Sequence, residues 1–158
     1  MRLFIFSLFI TFNAWANLES FSLNSERSLY IVDGDSVSLQ MRIAGIDTPE
    51  LGQKCRKSSV QMVDCGRIAK NHLKRLLRSL PGQLTIEPLG VDHYQRVLVR
   101  VYKGGVNIGQ LMVESGMAFS YKDTYKQAQD LAKAEQLGFW NYHTPPIEPY
   151  KWRKLNRY

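Results

Sequence analysis

Three short polar clusters in this sequence combine carboxylates with arginines. They lie at residues 32–36 (VDGDS), residues 42–50 (RIAGIDTPE) and residues 92–96 (DHYQR). Each lies in or beside a strand-like stretch, where a loop can present polar groups on a rigid frame. A single cluster is more typical of an ordinary turn, because Asp-Gly and Asp-Thr-Pro are common turn sequences. Taken together, the clusters offer hard oxygen ligands, a carboxylate base and two guanidinium groups.

Hydrolysis of a phosphodiester bond requires this set of groups. A divalent cation neutralises a non-bridging phosphate oxygen, and carboxylates such as Asp35 and Asp47 are hard ligands of the kind that calcium prefers. A base must take a proton from the attacking water, and Glu50, three positions after Asp47, can face the same pocket. Arg42 and Arg96 remain charged and can bind phosphoryl oxygens bidentately. The clusters therefore predict a metal-assisted phosphodiesterase site.

Stretches of alternating polarity predict the strands that must position these clusters. Apolar and polar residues alternate from Leu29 to Ile46, and the pattern recurs at residues 84–86 and at residues 97–101. A period of two over such lengths is typical of half-buried strands. Turn residues follow at 103–105, where the sequence reads Lys-Gly-Gly.

Three stretches have helical spacing of apolar residues. They are residues 69–80, residues 108–115 after the predicted N-cap Asn107, and residues 126–137. The first helix has a basic face, which is more typical of a solvated surface than of a nucleic-acid contact. The order strands, helix, strands, two helices predicts an α+β fold, compatible with a five-stranded barrel and flanking helices.

The motifs resemble those of the staphylococcal nuclease, or thermonuclease, family from about residue 30 to residue 140. Asp35, Arg42 and the sequence Asp-Thr-Pro-Glu at 47–50 match the first two motifs of the family. Arg96 ends a Tyr-Gln-Arg sequence where the family usually has Tyr-Gly-Arg. The resemblance implies an OB-fold, a five-stranded β-barrel with about three flanking helices.

The resemblance also implies a reaction and the residues that carry it. The implied activity is an exported endonuclease that uses Ca²⁺, cleaves DNA and RNA, and leaves 3′-phosphate and 5′-hydroxyl ends. Tyr94 and Tyr121 are candidate substrate contacts, although a tyrosine beside a strand is as often a core or rim residue. The implied roles are calcium ligation by Asp35, Asp47 and the Thr48 carbonyl, general base catalysis by Glu50, and catalytic phosphate binding by Arg42 and Arg96.

Two departures from the family pattern concern the arginines. Arg42 follows Asp35 by only seven positions, so the intervening hairpin is shorter than in the family, and a different bend would move Arg42. Gln95 replaces the usual glycine and restricts the backbone just before Arg96.

The first residues predict export. Arg2 precedes an apolar run at residues 3–12, and Ala-Trp-Ala at 14–16 is a signal-peptidase pattern, so residues 1–16 are predicted to be a signal peptide. A membrane anchor is less favoured, because a bilayer span needs about 20 apolar residues. We therefore expect a periplasmic or secreted protein without stable membrane insertion after cleavage.

The two cysteines, Cys55 and Cys65, favour a disulfide, because export places them in an oxidising compartment. A metal site is the less favoured alternative, since no histidines lie nearby in the sequence. Residues 17–143 are predicted to form one nuclease domain, and we expect a monomer. Residues 144–158 are a proline-rich basic tail whose prolines argue against a regular helix or a central strand.

A non-catalytic OB-fold protein that binds nucleic acid or another polyanion is the alternative function. The net charge of +7 suits a polyanionic partner in either case. An exported structural protein with a basic tail would also explain the signal peptide and the charge. Neither alternative needs the full set of carboxylates and arginines, so the motifs favour the enzyme.

Overall fold

The computed structural model describes residues 29–156. The predicted signal peptide and the start of the predicted domain lie outside the described residues. No helix within the described range is long and apolar enough to cross a membrane. The strands are β1 (Leu29–Ile31), β2 (Val37–Leu39), β3 (Met41–Ile43), β4 (Ile46–Asp47), β5 (Lys54–Arg56), β6 (Met62–Asp64), β7 (Leu84–Val91), β8 (Val97–Lys103), β9 (Val106–Asn107) and β10 (Phe119–Ser120). The helices are α1 (Cys65–Ser79), α2 (Ile108–Glu114), α3 (Lys126–Ala134), the 3-10 helix Gly138–Asn141 and α4 (Pro149–Leu155).

Strand β8 is the centre of the main sheet. It pairs in parallel with β3, and antiparallel with β7 and β9. Its alternate residues Val97, Val99 and Val101 are buried, as the period of two predicts. Helix α2 packs against β8 and contributes Ile108 and Met112 to the core. The predicted α+β class is confirmed.

The stretch predicted as one half-buried strand from Leu29 to Ile46 is divided among three sheets. β1 and β2 pair with each other, β3 joins the main sheet, and β4 pairs with β10. Val37 is exposed, because the β1–β2 ribbon is not hydrogen-bonded to the main sheet, and Met41 is exposed at the start of β3. Across residues 29–156 the strands form four separate hydrogen-bonded groups, and these do not make up one closed barrel.

All three predicted helices are present; α2 has nearly its predicted limits, whereas α1 begins four residues earlier than predicted, at Cys65. α1 ends before the predicted Pro-Gly stop at 81–82, and Asn107 caps α2 by accepting a hydrogen bond from the Gln110 N–H at 3.1 Å. α3 ends three residues earlier than predicted, at Ala134. Gln136 has a φ of +54° there, a left-handed backbone that terminates an α-helix.

The tail was predicted not to form a regular helix, and this prediction is wrong. Residues 149–155 form α4, with Pro149 in its first turn. Proline is tolerated there because the first N–H groups of a helix have no intrahelical partner. The tail also belongs to the folded body, since the Thr144 N–H donates to the Arg56 carbonyl at 3.0 Å and Pro146 and Pro149 are buried.

The predicted disulfide between Cys55 and Cys65 is confirmed. It joins β5 to the first residue of α1, and both cysteines are buried. The covalent link therefore holds the start of α1 against the chain that follows Glu50.

Candidate active site

The pair Arg42 and Asp47 lies at the edge of the main sheet. β3 carries Arg42, and a turn through Gly45, which has a φ of +78°, leads into β4 and Asp47. The Arg42 Nη2 donates to Asp47 Oδ1 at 3.1 Å and to the Ile46 carbonyl at 3.4 Å. The Asp47 side chain is only 8% exposed, and that of Arg42 is 25% exposed. The local turn thus brings two predicted site residues into contact.

The loop after β4 presents Glu50, and the start of α1 supports this loop from behind. A Cβ on Gly66 would overlap the Glu50 carbonyl, so only glycine permits this approach of helix and loop. Asp64, the N-cap of α1, accepts from the Arg67 N–H at 2.9 Å and from the Gly52 N–H. These hydrogen bonds, that from Arg67 foremost, lower the pKa of Asp64. The Glu50 side chain is 38% exposed, so it can reach a substrate.

Gln53 is a buried residue that fixes the Glu50 loop and that sequence reasoning missed. Its Oε1 accepts from the Glu50 N–H at 3.0 Å, and its Nε2 donates to the Ile147 carbonyl at 2.8 Å. Its own carbonyl accepts from the Cys65 N–H at 2.9 Å. A lone glutamine belongs to no motif, so no signal in the sequence indicates this role.

Gln53→Ala should lower the free energy of unfolding by about 2–3 kcal/mol. It removes two hydrogen bonds, to the Glu50 N–H and the Ile147 carbonyl, each worth about 1 kcal/mol, and it leaves a cavity where the fully buried Gln53 side chain lay. Denaturant titration under oxidising conditions measures the change. Gln61→Ala, an exposed change in the β5–β6 turn, should stay close to the parent. A Gln53→Ala variant with the parental midpoint would contradict this role.

Arg96 directly precedes β8, and Asp92 holds its side chain. The Nε and Nη2 of Arg96 donate to Asp92 Oδ2 at 2.9 and 2.7 Å, and its backbone N–H donates to Oδ1 at 3.0 Å. Burial raises the pKa of Asp92, but these hydrogen bonds outweigh it, and the pKa lies below its ordinary value. Asp92 is therefore an ionised positioning residue for Arg96.

The turn before Arg96 accommodates Gln95 in a backbone conformation that favours glycine. Gln95 has a φ of +62°, and its N–H donates to the Asp92 carbonyl at 2.8 Å. A non-glycine residue in this region costs roughly 1–2 kcal/mol. The departure from the usual glycine thus adds strain, while the contact between Arg96 and Asp92 is kept.

An unpredicted third arginine, Arg153 of α4, reaches the same carboxylates. Its Nη2 donates to Asp47 Oδ2 at 2.7 Å, and its Nη1 donates to Glu50 Oε1 at 2.7 Å and to Asp47 Oδ1 at 3.2 Å. The hydrogen bond with Asp47, followed by that with Glu50, raises the pKa of Arg153 above its ordinary value. Sequence reasoning assigned this residue only to a basic tail, because the contact joins positions more than 100 residues apart.

Most predicted site residues line one cleft, and the two predicted tyrosines flank its arginines. The guanidinium carbon of Arg42 lies 5.8 Å from the ring centre of Tyr121, and that of Arg96 lies 5.2 Å from the ring centre of Tyr94. Both tyrosines are exposed, as substrate contacts would be. The cleft is lined by Arg42, Asp47, Thr48, Glu50 and Arg96, together with Lys70 of α1.

Asp35 is not brought into this cleft. It lies in the exposed turn between β1 and β2, where its Oδ1 accepts from the Ser36 hydroxyl at 3.1 Å. Residues 29–156 contain no group of three or more His, Cys, Asp or Glu side chains that could hold a metal ion. The assignment of Asp35 as a ligand stays a prediction.

The donor set at Asp47 and Glu50 fits a hard cation. These two carboxylates already share one positively charged group, the Arg153 guanidinium, so the pair favours positive charge. Thr48 lines the same cleft. Carboxylate and carbonyl oxygens are ligands of calcium, whose shell of 6–8 oxygens also admits water and substrate.

Comparisons with known proteins agree with this arrangement. Residues 40–142 match the family described as Staphylococcal nuclease homologue. The chain is 36% identical over 151 residues to a protein of Haemophilus influenzae named Uncharacterized endonuclease. That alignment covers 85% of this chain and 75% of the relative. It is 30% identical over 173 residues to the Micrococcal nuclease of Shigella flexneri, covering 95% and 88%. It is 26% identical over 119 residues to the Thermonuclease of Staphylococcus hyicus, covering 70% and 68%. The family match includes every predicted site residue except Asp35, and it ends before α4.

Proposed function

The chain belongs to the staphylococcal nuclease family of phosphodiester-hydrolysing endonucleases, and we propose that it cleaves DNA and RNA in a calcium-dependent reaction. The observation that carries the proposal is the meeting of Asp47, Glu50, Arg42 and Arg96 in one cleft. A protein that only binds nucleic acid needs the arginines but has no use for a partly exposed carboxylate in the same cleft. The proposed products carry 3′-phosphate and 5′-hydroxyl ends, as the family resemblance implies.

Glu50 is the proposed general base. Its carboxylate is part-exposed, and its backbone is fixed by Gln53 and by the close approach of Gly66, so the side chain starts from a defined position. A carboxylate at this position takes one proton from water as that water attacks phosphorus. Bound calcium would neutralise a non-bridging phosphate oxygen, held by Asp47, the Thr48 carbonyl and, as a further proposal, Asp35.

Arg42 and Arg96 are the proposed phosphate-binding arginines. Each guanidinium has five N–H donors. Arg42 uses one nitrogen to contact Asp47, and Arg96 uses two to contact Asp92. The carboxylates orient the guanidinium groups, and the remaining donors can bind the phosphoryl oxygens, where negative charge develops in the transition state.

Export as a monomer to the periplasm or the medium is also proposed. The disulfide between Cys55 and Cys65 supports the export, because disulfides persist in oxidising compartments. The closed OB-fold barrel is a proposal as well, supported by the family match and by the parallel pairing of β3 with β8.

Purified protein should cleave plasmid DNA and RNA with calcium present, and should stop cleaving when a chelator is added in excess. The reason is that two carboxylates and two arginines leave one phosphate charge for a cation to neutralise. Products should accept a 5′-phosphate from a polynucleotide kinase without prior phosphatase treatment, as 5′-hydroxyl ends do. Cleavage that persists in chelator, or that zinc and not calcium restores, would contradict the metal assignment. Binding without any cleavage would support the OB-fold binding protein instead.

A further inference from the structure

The guanidinium of Arg153 occupies the carboxylate oxygens that a metal would need. Both oxygens of Asp47 accept hydrogen bonds from Arg153, and Oδ1 also accepts from Arg42. Glu50 Oε1 accepts from the same guanidinium at 2.7 Å. One arginine side chain therefore bridges the proposed metal ligand and the proposed general base.

The charges of this cluster balance as they stand. Asp47 and Glu50 carry two negative charges, and Arg42 and Arg153 carry two positive charges. A divalent cation entering the cluster would meet no net negative charge and would lie beside a guanidinium. Two positive charges that both contact the same carboxylate repel strongly in a partly buried site. Calcium and Arg153 therefore exclude each other at Asp47.

Helix α4 is built so that Arg153 can leave without the tail detaching. Its start is anchored, since Pro149 is buried and Gln53 donates to the Ile147 carbonyl two residues earlier. Its last turn is exposed, and Leu155 is 76% exposed. The Arg153 side chain itself is 33% exposed, so it can turn towards solvent.

We propose that Arg153 is an internal competitor of calcium, which closes the site until the metal displaces it. The inference rests on the proposed calcium site at Asp47. Binding of calcium to the nuclease is then coupled to release of the last turn of α4. The docked guanidinium also keeps Glu50 from acting as a base, so the enzyme is inhibited by its own C-terminal helix at low calcium.

Arg153→Ala should bind calcium about tenfold more tightly than the parent, because a site that is closed for nine-tenths of the time loses that factor in apparent affinity. Calcium affinity is measured without nucleic acid, by displacement of luminescent terbium. The matched control is Lys154→Ala, which removes the same charge from the next residue. Lys154 contacts the ring of Tyr150 and should leave the calcium affinity near the parental value.

Calcium affinity that is equal or weaker in Arg153→Ala would overturn the competition alone, because the metal still binds. Failure of terbium and calcium to bind any of the three proteins would overturn the proposed calcium site as well. A second measurement uses only the parent chain, so it does not depend on how the variant folds. Amide hydrogens of residues 153–156 should exchange faster after calcium is added, and unchanged exchange would overturn the proposal.

Discussion

Glu50→Gln should lower the single-turnover cleavage rate by about 100-fold or more, the usual contribution of a general base. The amide keeps the size of the side chain but cannot accept the proton of the attacking water. The backbone N–H of Glu50 still donates to Gln53, so the loop should keep its position. No phosphate contact is removed, so oligonucleotide affinity measured in calcium should stay near the parental value.

The matched control for this change is Glu148→Gln. Glu148 is exposed and pairs with Lys151 at 3.2 Å, so its loss should leave both the rate and the affinity near those of the parent. Circular dichroism melts should show similar stability for both variants. A Glu50→Gln enzyme that cuts as fast as the parent in single turnover would show that another group is the base.

Arg96→Ala and Arg42→Ala should each lower the cleavage rate by roughly 100-fold to 1000-fold. Each change removes a preorganised donor to the transition state, a loss worth about 3–4 kcal/mol. Unlike Glu50→Gln, both should also weaken oligonucleotide binding, because an arginine attracts the phosphate before the reaction begins. Rates and affinities measured on the same oligonucleotide separate the two effects.

Arg100→Ala is the control for the two arginine variants. Arg100 lies in β8, the strand that follows Arg96, and its side chain is half exposed. Its Nη1 lies 4.0 Å from Glu87 Oε2, so the ion pair is weak and its removal should change the cleavage rate little. Asp92→Asn tests the positioning of Arg96, and it should reproduce part of the Arg96→Ala loss. An Arg96→Ala variant with the parental rate would remove this residue from the mechanism.

Short chain segments make the contacts within each predicted cluster, whereas the placement of Arg96 in one cleft with Arg42 and Glu50 was indicated by the family resemblance. Arg42 and Asp47 are five positions apart across one turn, and Arg96 contacts Asp92 four positions earlier. Local spacing is enough to predict such contacts. The left-handed backbone at Gln95 does not follow from the residue itself, because glutamine disfavours this conformation.

The contacts that sequence reasoning missed join distant parts of the chain. Gln53 binds Ile147 across 94 positions, and Arg153 binds Glu50 across 103. Hydrophobic periodicity carries no information about such pairs. The helix in the tail was missed for a different reason. Prolines argue against a helix interior, but Pro149 lies in the first turn of α4, where proline is tolerated.

The barrel was the least accessible feature from sequence. Alternating residues between Leu29 and Ile46 predict extended chain, but they do not indicate which strand pairs with which. The described strands separate where the chain turns at Gly45 and where the β1–β2 ribbon pairs only with itself. Pairing depends on register between distant segments, which a single sequence does not specify.

The hydrogen bond between Gln53 and Ile147 can form only after nearly the whole chain has been synthesised. Ribosomes make Arg42, Glu50 and Arg96 long before Ile147, so the three proposed catalytic side chains exist while the loop that presents Glu50 still lacks its C-terminal partner. Contacts of such sequence separation form late, since the whole intervening loop must close first. A growing polypeptide therefore carries the side chains proposed for the reaction before the loop that presents Glu50 has gained its last hydrogen-bond partner.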